Sequence, residues 1–321
     1  MPSAARVEVS SHTEVEQIAG SLLGTEGSIE VALSAAREEA TLSPGAPDSV
    51  NALERVQTDV VLAEVEQFVS PGGGPDLLYG HLVHPYEGSR AFADIYRYFA
   101  EQCRWRRFVN RGDFVIDVGA HSGDTTLVLA ELVGVTGSVL AFDPNPAVLP
   151  TLLANAMIND SYDIEVEGLA VAATSGTVVF TDHSNLMCNG GVLTGLEGVG
   201  NAVVDRIEAL SPERLEVEAV NLVEYLMARK DRFAERRVSF IKTDCEGFDA
   251  LIVGSLQPIL TRDRPALFVE WFEWFNLDET EMLFSTIDSV GYQAYEPETL
   301  NLANRSRKVS DLLCLPKGTV L

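Results

Sequence analysis

Residues 113–124, DFVIDVGAHSGD, constrain the fold more than any other stretch of the chain. An apolar run, Phe114, Val115 and Ile116, ends in Asp117. Gly119, Ala120, His121, Ser122 and Gly123 follow, and Asp124, Thr125 and Thr126 lead into the apolar run 127–132. This order predicts a strand, a glycine-bearing turn and a helix start, the layout in which backbone comes close to a nucleotide-like ligand because no side chain intervenes. A second predicted strand, 138–142, delivers Asp143, which lies 143 − 117 = 26 residues after the first acid. In nucleotide-binding α/β folds an acid at this second strand end accepts hydrogen bonds from ribose hydroxyls.

Glycine spacing separates two kinds of cofactor. A dinucleotide fingerprint G-x-G-x-x-G would place glycines at 119, 121 and 124, but the last two positions hold His121 and Asp124. No glycine-lined helix start is left to receive a pyrophosphate. An adenosine ligand without phosphates, such as S-adenosylmethionine, needs none, so the pattern disfavours a nicotinamide oxidoreductase.

Further strands are predicted at 164–168, 238–243 and 266–270, with a last pair at 292–296 and 311–316, and helical stretches fall between them. Alternation of this kind implies an α/β fold, a doubly wound and mostly parallel sheet with right-handed crossovers. A strand at 176–180 and the glycine-rich 188–200 interrupt the rhythm, and 181–215 reads as an insert loop. A helix rich in aromatics is expected over 89–109. It carries Arg97, Arg104, Arg106 and Arg107, with Arg111 just beyond, either as a solvated basic face or as an anion site.

Ligands of open α/β sheets bind beyond the carboxyl ends of the strands. Those ends hold Asp117, Asp143, Asp244 with Glu246, and Glu270. Unpaired buried carboxylates are costly, and a sulfonium–ammonium cofactor would offset them. Within FIKTDCEGFD at 240–249, a carboxylate at Asp244 or Glu246 is placed to orient a substrate hydroxyl and take its proton, with Glu270 as a second base candidate. The same three acids offer oxygens for Mg²⁺, an arrangement not favoured here. His183, Asn185 and Asn189 in the insert, and Trp271 after the 266–270 strand, are candidate substrate contacts.

Residues 1–70 differ in character, with twelve acids against Arg6, Arg37 and Arg55 and Phe68 as the sole aromatic. Val50, Leu53, Val56, Val60, Val61, Val65 and Phe68 have helical spacing, so 1–75 is expected to be an acidic helical appendage ahead of a 76–321 catalytic domain. Such helices offer a route to a homodimer or a lid. The formal charge of −25 excludes nucleic acid and anionic membrane as natural partners. No run of about 18 apolar residues predicts a membrane span, and no basic-then-apolar leader opens the chain. Cys103, Cys188, Cys245 and Cys314 are widely spaced, as expected of reduced thiols in a cytoplasmic protein.

VIDVGAHSGDTTLVLA, VLAFDPNP, LLANAMIND, FIKTDCEGFDALIVGSL, RPALFVEW and DLLCLPKG, in that order, resemble the FkbM-type methyltransferases. The likeness runs from about residue 112 to 317, outside the N-terminal segment and the insert. It implies a class I, Rossmann-like enzyme dependent on S-adenosylmethionine, with a seven-stranded sheet whose last strands form an antiparallel hairpin. It further implies O-methylation of a small molecule, a sugar or other natural product. Carboxyl- or N-methylation is the alternative within that class, and a non-catalytic cofactor-binding scaffold the alternative outside it. By position, Asp117, Gly119, Ala120, His121, Ser122 and Gly123 would surround the methionine part of the cofactor. Asp143, where the family usually has Glu, would meet the ribose with Pro144 and Asn145 completing the turn. Ala170 would line the adenine pocket, and Asp244 would face the ammonium or the reaction centre. Asp249 stands in place of a common Glu.

Overall fold

The computed structural model describes residues 5–9, 29–33, 60–62, 65–80, 91–182, 190–192, 213–233, 236–271, 275 and 277–321. Its centre is a seven-stranded sheet formed by β1 (Phe114–Val118), β2 (Ser138–Phe142), β3 (Asp163–Glu167), β4 (Val238–Thr243), β5 (Ala266–Glu270), β6 (Tyr292–Tyr295) and β7 (Asp311–Pro316). The spatial order is β6-β7-β5-β4-β1-β2-β3. All neighbours pair in parallel except β7, which runs antiparallel to both β5 and β6. The chain thus steps outward from β1 to β3, returns to the other side of β1 as β4, and leaves a crevice at that reversal.

Every residue of β1 and β2 is buried, which is why these strands read as near-continuous apolar runs rather than alternating ones. Successive side chains still divide between the two faces. Ile116, Val118, Phe142 and Ile241 join one core, which the helices Asp249–Ser255 and Leu277–Ser289 cover. Val115, Val139, Phe240 and Phe268 join the other, under the helix Asp124–Val133 and an aromatic wall. No described helix is long and apolar enough to cross a membrane.

The aromatic wall is not one helix over 89–109. Phe92–Tyr96 is α-helical, Arg97–Gln102 is a π-helix, and Trp105–Phe108 follows Arg104 in the left-handed region. The break sets Trp105 against Phe240 and Phe268, at ring-centroid distances of 5.2 Å and 5.1 Å. The basic cluster is also redirected. Arg111 lies 3.0 Å and Arg106 3.7 Å from the carboxylate of Glu131, whose side chain is fully buried. Ser70 Oγ, the Gly72 amide and Tyr96 O–H donate to the same carboxylate. These contacts tie the 70–72 turn to the sheet, and they commit Arg106 and Arg111 to a structural acid rather than to an anion site.

Two expectations outside the main sheet are corrected. Where the N-terminal segment is described it is strand, not helix: Ala5–Val9, Ile29–Leu33, Val60–Leu62 and Val65–Phe68. Val60, Val61 and Val65 are β-branched, and a strand accommodates that stiffness better than a helix does. The 181–215 insert is not all loop either. Gly176–Asp182 pairs antiparallel with Glu213–Val220 and with Gly190–Val192, beside the main sheet.

Candidate active site

β1 and β4 meet at the reversal in strand order, where Lys242 and Asp117 are register partners on adjacent strands. Both are buried, at 2% and 0% side-chain exposure, with Nζ 3.3 Å from Oδ1. The other carboxylate oxygen of Asp117 accepts from Thr125 Oγ1 (2.9 Å) and Thr126 Oγ1 (2.7 Å), at the start of the next helix. Lys242 also donates to the Gly119 carbonyl at 2.5 Å and lies 3.7 Å from Asp244 Oδ2. Burial alone would lower the lysine's pKa, but Asp117 and Asp244 outweigh it and hold the ammonium charged. The pair is a strut: it fixes the turn after β1 to the end of β4.

Gly119 makes that junction possible. Its φ is +74°, and a Cβ there would lie 1.9 Å from the Asp244 carbonyl oxygen. The absent side chain therefore serves the approach of the two strand ends to each other. The amides of Gly119 and Ala120 both donate to the Phe142 carbonyl at 3.0 Å, and Asp244 N donates to the Val118 carbonyl at 3.1 Å. Three strand ends are thus bound into one floor.

Asp143 sits on that floor. Its Oδ2 accepts from the His121 amide (2.8 Å) and its Oδ1 from the Asn145 amide (2.9 Å), so the carboxylate is oriented from both sides. Burial pushes its pKa up, against the pull of these amides and of His121. Pro144 lies in this turn, and Asn145 Oδ1 accepts from the Ala147 amide at 2.9 Å. Ala120 packs in a small core with Ala141 and Leu152, and Ser122 is buried with its hydroxyl 3.4 Å from the Tyr79 hydroxyl. Gly123, at φ +96°, starts the helix. Ala170 is buried in a short strand paired with Ala219.

Beyond β4, β5 and β7 the acids gather. Asp244 is 43% exposed. Glu246, at φ 52°, and Gly247 form the turn after it. Asp249 is fully buried; its Oδ2 accepts from the Cys245 amide at 3.1 Å, and the Thr243 hydroxyl lies beside the carboxylate. Burial and then the charge of Asp244 push its pKa up to about 6. Glu270 is the direct cross-strand partner of Asp311, and its Oε2 is buried without a hydrogen bond. Burial, with Asp244 and Asp249, favours the protonated form of Glu270, and burial with Asp244 pushes Asp311 up to about 7. Among the described residues, no three His, Cys, Asp or Glu side chains converge as a metal cage, Asp244, Glu246 and Glu270 included.

Of the expected substrate contacts, His183, Asn185 and Asn189 lie outside the described residues. Trp271 is placed, and it is not a lining residue. Its side chain is 2% exposed, its ring packs edge-on against Phe284 at 5.1 Å, and Nε1 donates to Thr280 Oγ1. The chain turns inward after Glu270 and spends the indole on the core. Lys242 and Asp311 are additions of the structure as site residues, and Asp249, noted in the sequence as standing in place of a Glu, is brought into the same cluster. Asp311 opens its strand rather than closing it, and an antiparallel strand puts its start where parallel neighbours put their ends.

The family model described as the methyltransferase FkbM domain matches residues 117–294, more than half of the chain. Among solved structures the chain is similar to the methyltransferase FkbM from Methylobacillus flagellatus KT, with 16% identity over 71% of this chain and 48% of that one, and a TM-score of 0.41. The chain thus spans about half the length of that protein. It is also similar to Aeropyrum pernix fibrillarin in complex with natively bound S-adenosyl-L-methionine, at 12% identity over 79% and 99% of the two chains and a TM-score of 0.38. A SAM-dependent O-methyltransferase from Thermotoga maritima aligns at 11% identity over 84% of this chain and 71% of that one, with a TM-score of 0.35. No curated protein sequence matches the chain.

Proposed function

Because this chain belongs to the FkbM methyltransferase family, we propose that it moves a methyl group from S-adenosylmethionine to a hydroxyl of a small molecule, a sugar or secondary metabolite. The observation that carries the donor assignment is the charge imbalance at the crevice. Asp244, Glu246 and Asp249 gather after β4, and the buried cation beside them, Lys242, is already engaged by Asp117. A donor bearing a sulfonium and an ammonium relieves that imbalance, whereas a pyrophosphate would deepen it.

The residues fit such a donor. Asp143, held by two backbone amides, accepts from the ribose hydroxyls, and the 119–123 turn borders the methionine part. Ala120 and Ser122 contribute backbone and packing to this turn, because their side chains are buried against protein. The donor supplies an electrophilic methyl group on sulfur. The half-exposed Asp244 receives the acceptor's hydroxyl proton as the oxygen bonds to carbon, and Glu246 orients the acceptor. Burial favours the protonated form of Glu270 before any ligand binds, so the base role rests with Asp244. Most of the acceleration comes from holding oxygen, methyl and sulfur in line.

The test is calorimetric titration with S-adenosylhomocysteine, with NAD in parallel. Binding of the homocysteine compound alone, in the micromolar range, supports the reading; binding of NAD alone, or of neither, refutes it.

A further inference from the structure

Neutralising one donor leaves carboxyl groups to spare. S-adenosylmethionine carries two positive charges and one carboxylate, a net of one. On its far side from Asp143, the crevice still presents Glu270 and Asp311, directly opposite each other on β5 and β7. Burial favours the protonated form of such a facing pair before any ligand binds, and a cation arriving between the two carboxyls would favour the ionised form. Among the described residues no ion pair reaches Glu270, Asp311 or Asp249. The nearby cations are spent elsewhere: Lys242 on Asp117, Arg106 and Arg111 on Glu131, and Arg104 Nη2 on the Glu298 carbonyl.

A further observation points outward from the cluster to a ligand. Glu270 Oε2 is buried and has no hydrogen-bond partner. Buried carboxylate oxygens are ordinarily satisfied, and an orphan beside a crevice is a group whose partner arrives with the ligand.

We propose that the acceptor carries a protonated amino group in addition to its hydroxyl, and that the opposed carboxyls of Glu270 and Asp311 bind that amino group. An amino sugar or amino-polyol has this chemistry. A phosphorylated or carboxylated acceptor is excluded by the same charges. The proposal rests on the methyltransferase reading above and deepens it.

The experiment uses the full chain saturated with S-adenosylhomocysteine and three probes of one ring size: glucosamine, glucose and glucuronate. Glucosamine binds about tenfold or more tighter than glucose, and glucuronate is rejected. Asp311→Asn brings glucosamine and glucose to near parity while the affinity for S-adenosylhomocysteine is unchanged; Glu270→Gln does the same and stands in if the first variant does not fold. Equal binding of the sugars, a preference for glucuronate, or no saturable binding of any probe to the loaded protein overturns the amine assignment alone. Failure of S-adenosylhomocysteine itself to bind removes the donor reading, and the amine assignment with it.

Discussion

Replacing Asp311 by Asn should change how stability depends on pH more than it changes stability at any one pH. Burial, reinforced by Asp244 and Asp249 and opposed by Lys242, pushes this carboxyl from the usual 3.8 to about 7 in the folded protein. A carboxyl raised on folding binds more protons in the native state than in the unfolded chain between those two values. Stability therefore falls as pH rises through that window and is flat above it. Integrating from pH 5 to pH 8 gives a loss of about 2–3 kcal/mol from this one group. Asn cannot ionise, so Asp311→Asn should lack that share of the slope. Guanidinium unfolding of both proteins at pH 5 and pH 8 reads the difference directly: the variant gains on the wild type by about 2–3 kcal/mol between the two conditions. Asp249 titrates in both proteins and largely cancels, whereas Glu270, which the Asp311 charge helps to keep protonated, loses part of its own upward shift in the variant. A constant offset between the two proteins at both pH values would refute the assignment of a buried, high-pKa carboxyl to this site.

Three other substitutions probe the floor of the site. Gly119→Ala adds a Cβ 1.9 Å from the Asp244 carbonyl at a φ of +74°, and should cost at least about 2 kcal/mol in thermal or chemical unfolding. Lys242→Met strands the buried carboxylate of Asp117, with an expected loss of about 3–5 kcal/mol; a fully stable variant would show that the ion pair is dispensable. Asp143→Ala should weaken S-adenosylhomocysteine by about tenfold or more in calorimetry, and unchanged affinity would remove it from the ribose role.

The middle of the sheet was legible because β1, β2, β4 and β5 are buried nearly throughout and read as apolar runs. The predicted 114–118, 138–142, 238–243, 266–270 and 311–316 coincide with the observed strands, and 164–168 is displaced by one residue. A helical reading failed at 60–62 and 65–68 because valines at helical spacing also satisfy a strand, and spacing alone does not choose between them. The strand Glu213–Val220 was missed although Leu215, Val217 and Ala219 alternate with Glu216 and Glu218; it straddles the end of the 181–215 stretch read as an insert loop. Asp117, Asp143, Asp244 and Glu270 were visible as strand-terminal acids. Asp311 was not, since its role depends on strand direction. Lys242 stood beside the acids in the sequence, but its partner Asp117 is a matter of register, which no local pattern encodes.

That register also sets a timetable. β1 lies at the middle of the sheet, yet the strand that covers its second edge starts 238 − 118 = 120 residues after β1 ends. At about 5–20 residues per second a ribosome takes roughly 6–24 s to supply it. Throughout that interval β1, β2 and β3 have an apolar strand with an open edge, and Asp117 has no lysine. A nascent chain in this state is exposed to edge pairing with its neighbours. Synthesis through residue 243 moves that open edge from β1 to β4, and β5, β7 and β6 then carry it to the margin of the sheet.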